Sequence, residues 1–347
     1  MIEEKKIKTK FKNLKTKLIN FFKNPKEVIS FFLPIVITIC LILPVPYYIK
    51  IGGGTIEIDE NIEIENSYSN KGSLEALYVK ESKGIVLTFL LSYVIPSFEK
   101  EKIEEVTLEN ETEDDYNYRE RLYFTSSLDA ATKVAFEHAG KEVKISSSKF
   151  IVLYIDKIAN TNLEVGDEII KVEGNKVSSY DEISELVNSK KINDTINITV
   201  KRDGKEIETT STLVEVENSP KLGVVLSNEI SYESNPKVDF NFDGNQAGPS
   251  GGLMIALSIY NKLVEEDITK GKIVVGTGTL DTEGNVGAIG GIKHKLMAAA
   301  DKEADIVLVP NDNYEEAKKI TEEENYDFTL LSVKTFDEAL EKLESAK

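Results

Sequence analysis

From Val28 to Ile49 the chain runs for 22 residues, VISFFLPIVITICLILPVPYYI, without one charged side chain. Wound as a helix at about 1.5 Å per residue, such a stretch covers a hydrocarbon core of roughly 30 Å. Burial in lipid is therefore the first expectation for it. Pro34, Pro44 and Pro46 bend or end the helix, the last two at its exit, where Tyr47 and Tyr48 suit a membrane interface. Residues 1–27 hold nine lysines and three glutamates, a net of +6, whereas the rest of the chain carries 33 basic and 57 acidic side chains. That asymmetry predicts a cytoplasmic basic tail at 1–27, a single-pass cell-membrane anchor at 28–49 and an outward-facing remainder from Lys50. No small-x-small cleavage site closes the apolar run, so it reads as an uncleaved anchor and not as a signal peptide.

At 347 residues the chain has room for about two domains beyond the anchor. A formal charge of -18 repels a phosphate backbone, which argues against nucleic acid as a partner. The single cysteine, Cys40, cannot form an intrachain disulfide. His138 and His294, the only histidines, are too few for a three-histidine zinc site, and no metal site is expected. His138 falls in the last turn of a predicted helix, where a cap or solvent-facing role fits it best.

The outer region opens at 55–140, where Gly72 to Lys80 and Gly84 to Ser92 read as paired strands. Glu101 to Asp115 reads as an acidic surface loop or solvated helix, and a helix opens at Ser127 and ends at Gly140. From 141 to 214 the pattern becomes β-rich, with strands near Phe150–Ile155 and Asp194–Arg202 and a helix at Tyr180–Asn188. Gly166, Asp167, Ile169, Val172, Gly174 and Val177 make a GD-x-I-x-x-V-x-G-x-x-V segment that resembles a PDZ domain. The resemblance implies a groove between a strand and a helix that accepts an extended peptide. No glycine-rich carboxylate-binding loop precedes Phe150, so recognition of a free C-terminus is not implied.

From 222 to 345 strands and helices alternate. Gly248-Pro249-Ser250-Gly251-Gly252 leads into an apolar helix, which places a serine at a helix head among small residues. Unpaired N–H groups there can serve a developing oxyanion, and Gly248, Pro249 and Gly251 are the candidate surround. The later glycines, Gly287, Gly290 and Gly291, fit neither a Walker motif nor a dinucleotide fingerprint, so no nucleotide cofactor is expected.

Serine needs a base, and a lysine made neutral by burial can be one. Lys293 and Lys295 lie together on the helix after Gly291, with His294 between them and facing away from whichever lysine turns inward. Lys293 shares its face with Met297 and Ala300, Lys295 with Ala299 and Lys302, so periodicity favours Lys293 over Lys295. Thr277 and Thr279, on the strand approaching the glycines, are candidates to hydrogen-bond the amine, with ordinary strand packing as the other reading.

Together the serine segment and Gly-Gly-Ile-Lys-x-Lys-x-x-x-Ala resemble the proteolytic domain of Lon-type serine proteases. The order of anchor, PDZ-like module and Lon-like domain resembles the ATPase-free, membrane-anchored Lon-like group. This implies an α/β (α+β) Lon-type protease domain with a PDZ-like β-rich module after one N-terminal transmembrane helix, the early segment completing the protease fold. By motif, Ser250 matches the nucleophile and Lys293, the first of its pair, the general base. The implied activity is ATP-independent, cofactor-free endoproteolysis of unfolded or flexible proteins and peptides, in a chain able to form a homo-oligomer. The rival from another class is a catalytically silent peptide-binding scaffold at the cell surface.

Overall fold

A computed structural model describes residues 2–346. It divides into two compact units, Met1–Lys50 with Glu81–Ile103, and Ile51–Lys80 with Glu104–Lys347.

In the first unit Asn24 separates the helices Ile2–Lys23 and Pro25–Leu41. Its side-chain oxygen accepts from Lys26 N–H at 3.2 Å, and Pro25 occupies the first turn, where a missing N–H costs no helix bond. The second helix absorbs Pro34 but stops at Leu41, and Pro44 already begins the strand Pro44–Glu57. The apolar run is thus shared between a 17-residue helix, about 25 Å long, and a strand, which corrects the continuous span expected over 28–49. Among the described residues no single helix is long and apolar enough to cross a membrane, although Asn13–Lys23 and Pro25–Leu41, bent by 87°, pass that test as a pair. Every residue from Ile29 to Cys40 is exposed. The expected strand pair at 72–92 is instead one strand, Ser73–Ile85, followed by the short helix Val86–Leu91. Gly84 is a strand residue because a Cβ there would stand 2.8 Å from the Tyr47 carbonyl oxygen, so the glycine marks a close backbone approach and not a turn.

The second unit is built on two main sheets. Its first sheet runs antiparallel in the order Val224–Asn235, Glu142–Ile155, Glu168–Val172, Thr195–Arg202, Lys205–Thr212 and Asn160–Thr161. The helix Tyr180–Asn188, capped by Ser179, turns Ile183 and Val187 into a core with Val152, Ile198 and Leu213. Asp167, in the motif read as PDZ-like, is almost fully buried and takes both prongs of Arg202, at 2.7 Å each. Val224–Asn235, assigned by sequence to the C-terminal region, pairs along its length with Glu142–Ile155 and forms the sheet's edge.

The other sheet places the strands Thr329–Val333, Ile306–Pro310, Ile273–Gly276 and Ser73–Ile85 side by side and parallel, so the segment before the PDZ-like module shares a sheet with the segment after it. Such strands are apolar on both faces, as Ile306–Pro310 is, because helices cover each side. On one face lies the helix Gly252–Leu263, packed against a helix spanning Glu113–His138. On the other lie Ile292–Asp301 and Tyr314–Glu324. The long helix begins fourteen residues before the start expected at Ser127. Thr112 and Asp115 form a reciprocal capping box there, so the acidic stretch supplies a helix head instead of a loop. His138 closes this helix, its Nδ1 2.7 Å from the Val134 carbonyl and its ring edge-on to Phe336.

Candidate active site

Three elements converge on Ser250. The first is the Gly-Pro-Ser-Gly-Gly loop: Gly248 has φ +77° and donates its N–H to the Glu120 carbonyl at 2.9 Å. A Cβ on Gly248 would reach the Glu120 carboxylate at 3.2 Å, so the loop lies close against the long helix. Glu120 is itself held by Arg119 Nη1 at 3.1 Å, while the rest of that guanidinium grips Glu111 at 2.7 and 2.9 Å and the Val106 carbonyl at 3.2 Å. Bonding to Glu111 is the main reason the Arg119 pKa is driven up. Sequence reasoning missed this support, whose only linear trace is an arginine within an acidic run.

The second element is the strand end at Thr277 and Gly278. Gly278 N–H and Thr277 Oγ1 both donate to the Ser250 carbonyl, at 2.8 and 3.0 Å, and Leu253 N–H donates to Gly278 O at 3.1 Å. Gly252 packs closely there, since a Cβ on it would stand 3.2 Å from Leu280. Backbone and hydroxyl together fix the main chain at Ser250, leaving its half-buried side chain to be met by the third element.

That element is the helix Ile292–Asp301. Its N-cap, Gly291, sits in the left-handed region at φ 68°, ψ 31°. One turn in, Lys295 is 3% exposed, with Nζ 3.1 Å from Ser250 Oγ and 2.8 Å from Thr277 Oγ1. Lys293 lies about 200° away around the helix and is exposed. The preference for Lys293 is corrected: it is Lys295 that meets the serine. The reason lies at Lys302, whose charge suggested a solvated face for Lys295. Lys302 instead pairs at 2.8 Å with Glu75, 1% exposed in the strand Ser73–Ile85, so that face is an inward one. His294, expected to face away, is also fully buried.

Of the two threonines, Thr277 stands at the amine, whereas Thr279 pairs with Gly287 in a two-residue ladder. The oxyanion surround also changes. Gly248 N–H is already engaged by Glu120 and Pro249 has no N–H to offer, while among the described residues Ser250 and Gly251 show no backbone acceptor for theirs. Gly251 is the N-cap of the Gly252–Leu263 helix, so its amide lies at the positive end of that helix. Among the described residues no group of three His, Cys, Asp or Glu side chains is placed to hold a metal.

A hydroxyl at a helix head with a buried amine in hydrogen-bond reach is the constellation of a serine peptidase that uses lysine in place of histidine. Ser250 and the buried Lys295 stand in that arrangement. Residues 243–345 match the family described as Lon protease (S16) C-terminal proteolytic domain, and residues 133–213 match the PDZ domain family. The Lon protease of Mycoplasma mobile is 31% identical over 134 residues, which are 35% of this chain and 15% of that protein. The Lon protease of Campylobacter jejuni is 35% identical over 95 residues, 27% of this chain and 12% of that protein. The chain therefore spans 12–15% of the length of these two relatives. The PDZ domain of an SdrC-like protein from Listeria monocytogenes is 25% identical and covers 24% of this chain and 92% of its own, at a TM-score of 0.22.

Proposed function

We propose that this protein is an ATP-independent endopeptidase, held in the membrane by its N-terminal segment with the peptidase outside, that cleaves unfolded or flexible polypeptides. The observation that carries the catalytic part is the 3.1 Å approach of Lys295 Nζ to Ser250 Oγ. Burial penalises an ammonium, so this position suits an amine that works as a base. Neutral Lys295 takes the Ser250 proton as Oγ attacks the peptide carbonyl, and the Ser250 and Gly251 amides receive the oxyanion. The ammonium then protonates the leaving amine, which departs with the C-terminal product. Water, deprotonated by the same lysine, attacks the acyl-enzyme and frees the serine. Thr277 orients the amine throughout.

Anchoring is supported by the charge asymmetry about the apolar run and by the helix Pro25–Leu41, apolar and exposed on all sides. ATP independence is supported by the sequence between that run and the peptidase, which includes the PDZ domain at 133–213 and shows no Walker motif. The PDZ domain's part is substrate capture, in the mode of an extended peptide added beside a strand and the helix Tyr180–Asn188. A captured peptide is thereby concentrated near Ser250. The test is digestion of casein by the full chain in detergent, wild type beside Ser250→Ala and Lys295→Ala, all three checked for folding by circular dichroism. Each substitution lowers turnover on the order of 10⁴-fold or more if the dyad is right. Undiminished cleavage by folded Ser250→Ala would remove Ser250 from the mechanism, and no cleavage by any of the three would point to a peptide-binding scaffold.

A further inference from the structure

Next to the end of the apolar helix lies a second apolar surface. Val86 N–H donates to the Leu43 carbonyl at 2.9 Å, which sets the start of the short helix Val86–Leu91 beside the exit of Pro25–Leu41. From that point Leu87, Leu90, Tyr93 and Val94 form one stripe at spacings of three and four, and they are 40, 52, 66 and 73% exposed. Behind the stripe Phe89 packs on Tyr47 at 4.9 Å and on Tyr93 at 5.6 Å, and Lys100 Nζ stands 3.4 Å from the centre of the Tyr93 ring. Water gains nothing from such a stripe, and a rigid aromatic base keeps it from folding away.

We infer that residues 86–95 form an interfacial foot that lies in the outer surface of the same bilayer as the anchor, with Leu87, Leu90, Tyr93 and Val94 dipped among the lipid headgroups and upper acyl chains. The inference rests on the membrane anchoring proposed above. Continuity selects lipid over a protein partner, because the backbone bond to Leu43 holds the stripe at the level where the apolar helix ends. The composition fits the same depth: three aliphatic residues and Tyr93 on the exposed side, with Tyr47 and Lys100 beside them, match the amphipathic boundary of a bilayer. A short helix end beside a second foothold also fixes the tilt of the anchor, which one helix alone leaves free.

The experiment uses the full chain in lipid vesicles, with a polarity-sensitive fluorophore on a single cysteine and a nitroxide attached near the lipid headgroups as quencher. Cys40 is the natural label site for the anchor, and Leu90→Cys, Val94→Cys and Glu316→Cys, each in a Cys40→Ala background, report the foot and an exposed site on the peptidase. The expected result is a blue-shifted emission and its loss to nitroxide lipid at Leu90→Cys and Val94→Cys, none at Glu316→Cys, and lipid contact at Cys40. Lipid contact at Cys40, with Leu90→Cys and Val94→Cys behaving like Glu316→Cys, overturns the foot and leaves the anchor standing. A blue shift at both foot positions without nitroxide quenching assigns the stripe to a protein partner and also overturns it. No lipid contact at Cys40 removes the anchor and the inference with it.

Discussion

Replacing Thr277 by valine swaps a hydroxyl for a methyl of similar size at a site with no exposure to solvent. Two hydrogen bonds disappear, one from Thr277 Oγ1 to the Ser250 carbonyl at 3.0 Å and one from Lys295 Nζ to Thr277 Oγ1 at 2.8 Å. The carbonyl keeps its second donor, Gly278 N–H at 2.8 Å, so the loss in folding stability is close to one net hydrogen bond, about 1 kcal/mol. The amine is affected more, because its alignment on Ser250 Oγ matters in the transition state. At about 1.4 kcal/mol per tenfold, loss of a positioning bond worth roughly 1.5–3 kcal/mol lowers kcat about 10- to 100-fold. Substrate binding does not involve Thr277, so KM stays near its wild-type value. Steady-state cleavage of a quenched fluorescent peptide, with urea denaturation in parallel, measures both effects, and Thr277→Ser, which keeps the hydroxyl, should restore most of kcat. Full kcat in folded Thr277→Val, or a loss that Thr277→Ser does not repair, would refute a positioning role for the hydroxyl.

Two further perturbations test the frame around the site. Gly291→Ala forces an L-residue to φ 68° and sets a Cβ 2.9 Å from Val79, so it should cost on the order of 1–2 kcal/mol in urea denaturation and lower kcat by shifting the helix that carries Lys295. Lys302→Met leaves the Glu75 carboxylate buried without its cation. Because Lys302 is itself partly exposed the expected loss is about 1–3 kcal/mol, and Glu75→Gln in the same chain should recover part of it. The hydrogen bond to Glu75 raises the Lys302 pKa in the folded state, so the pair's contribution is complete below the usual lysine value of about 10.4 and is lost as pH climbs through the higher folded value. Thermal unfolding of wild type and Lys302→Met should therefore converge only in that alkaline range.

Much of the site could be read from linear order where chemistry and local geometry coincide. Ser250 stood out because small residues flank it at a helix head, and Thr277 because its strand leads to the glycines. The lysine could not be settled that way. Helical periodicity says which residues share a face but not which face is buried, and Lys302 misled because its partner, Glu75, lies on a strand more than two hundred residues away in sequence. The choice among candidate oxyanion donors turned on a bond between Gly248 and Glu120, again long-range. The helix Glu113–His138 was read short because its acidic first turn looks like solvated loop until the Thr112–Asp115 box is seen. The pairing of Val224–Asn235 with Glu142–Ile155 is not legible in linear order, because the two strands lie some seventy residues apart and pairing follows register. In the apolar run, composition gave the length that lipid requires, while Pro44 and the strand beginning there shortened the helix.

The central claim is that Lys295, and not its neighbour two residues earlier, activates Ser250. Its most direct test is the pH dependence of peptide cleavage by wild type, Ser250→Ala, Lys293→Ala and Lys295→Ala, with folding of each confirmed. The account predicts a wild-type rate that rises with pH through an ionisation below that of free lysine, the same profile and near-equal kcat for Lys293→Ala, and no measurable turnover for Lys295→Ala or Ser250→Ala. Loss of activity in Lys293→Ala with retention in Lys295→Ala would contradict it.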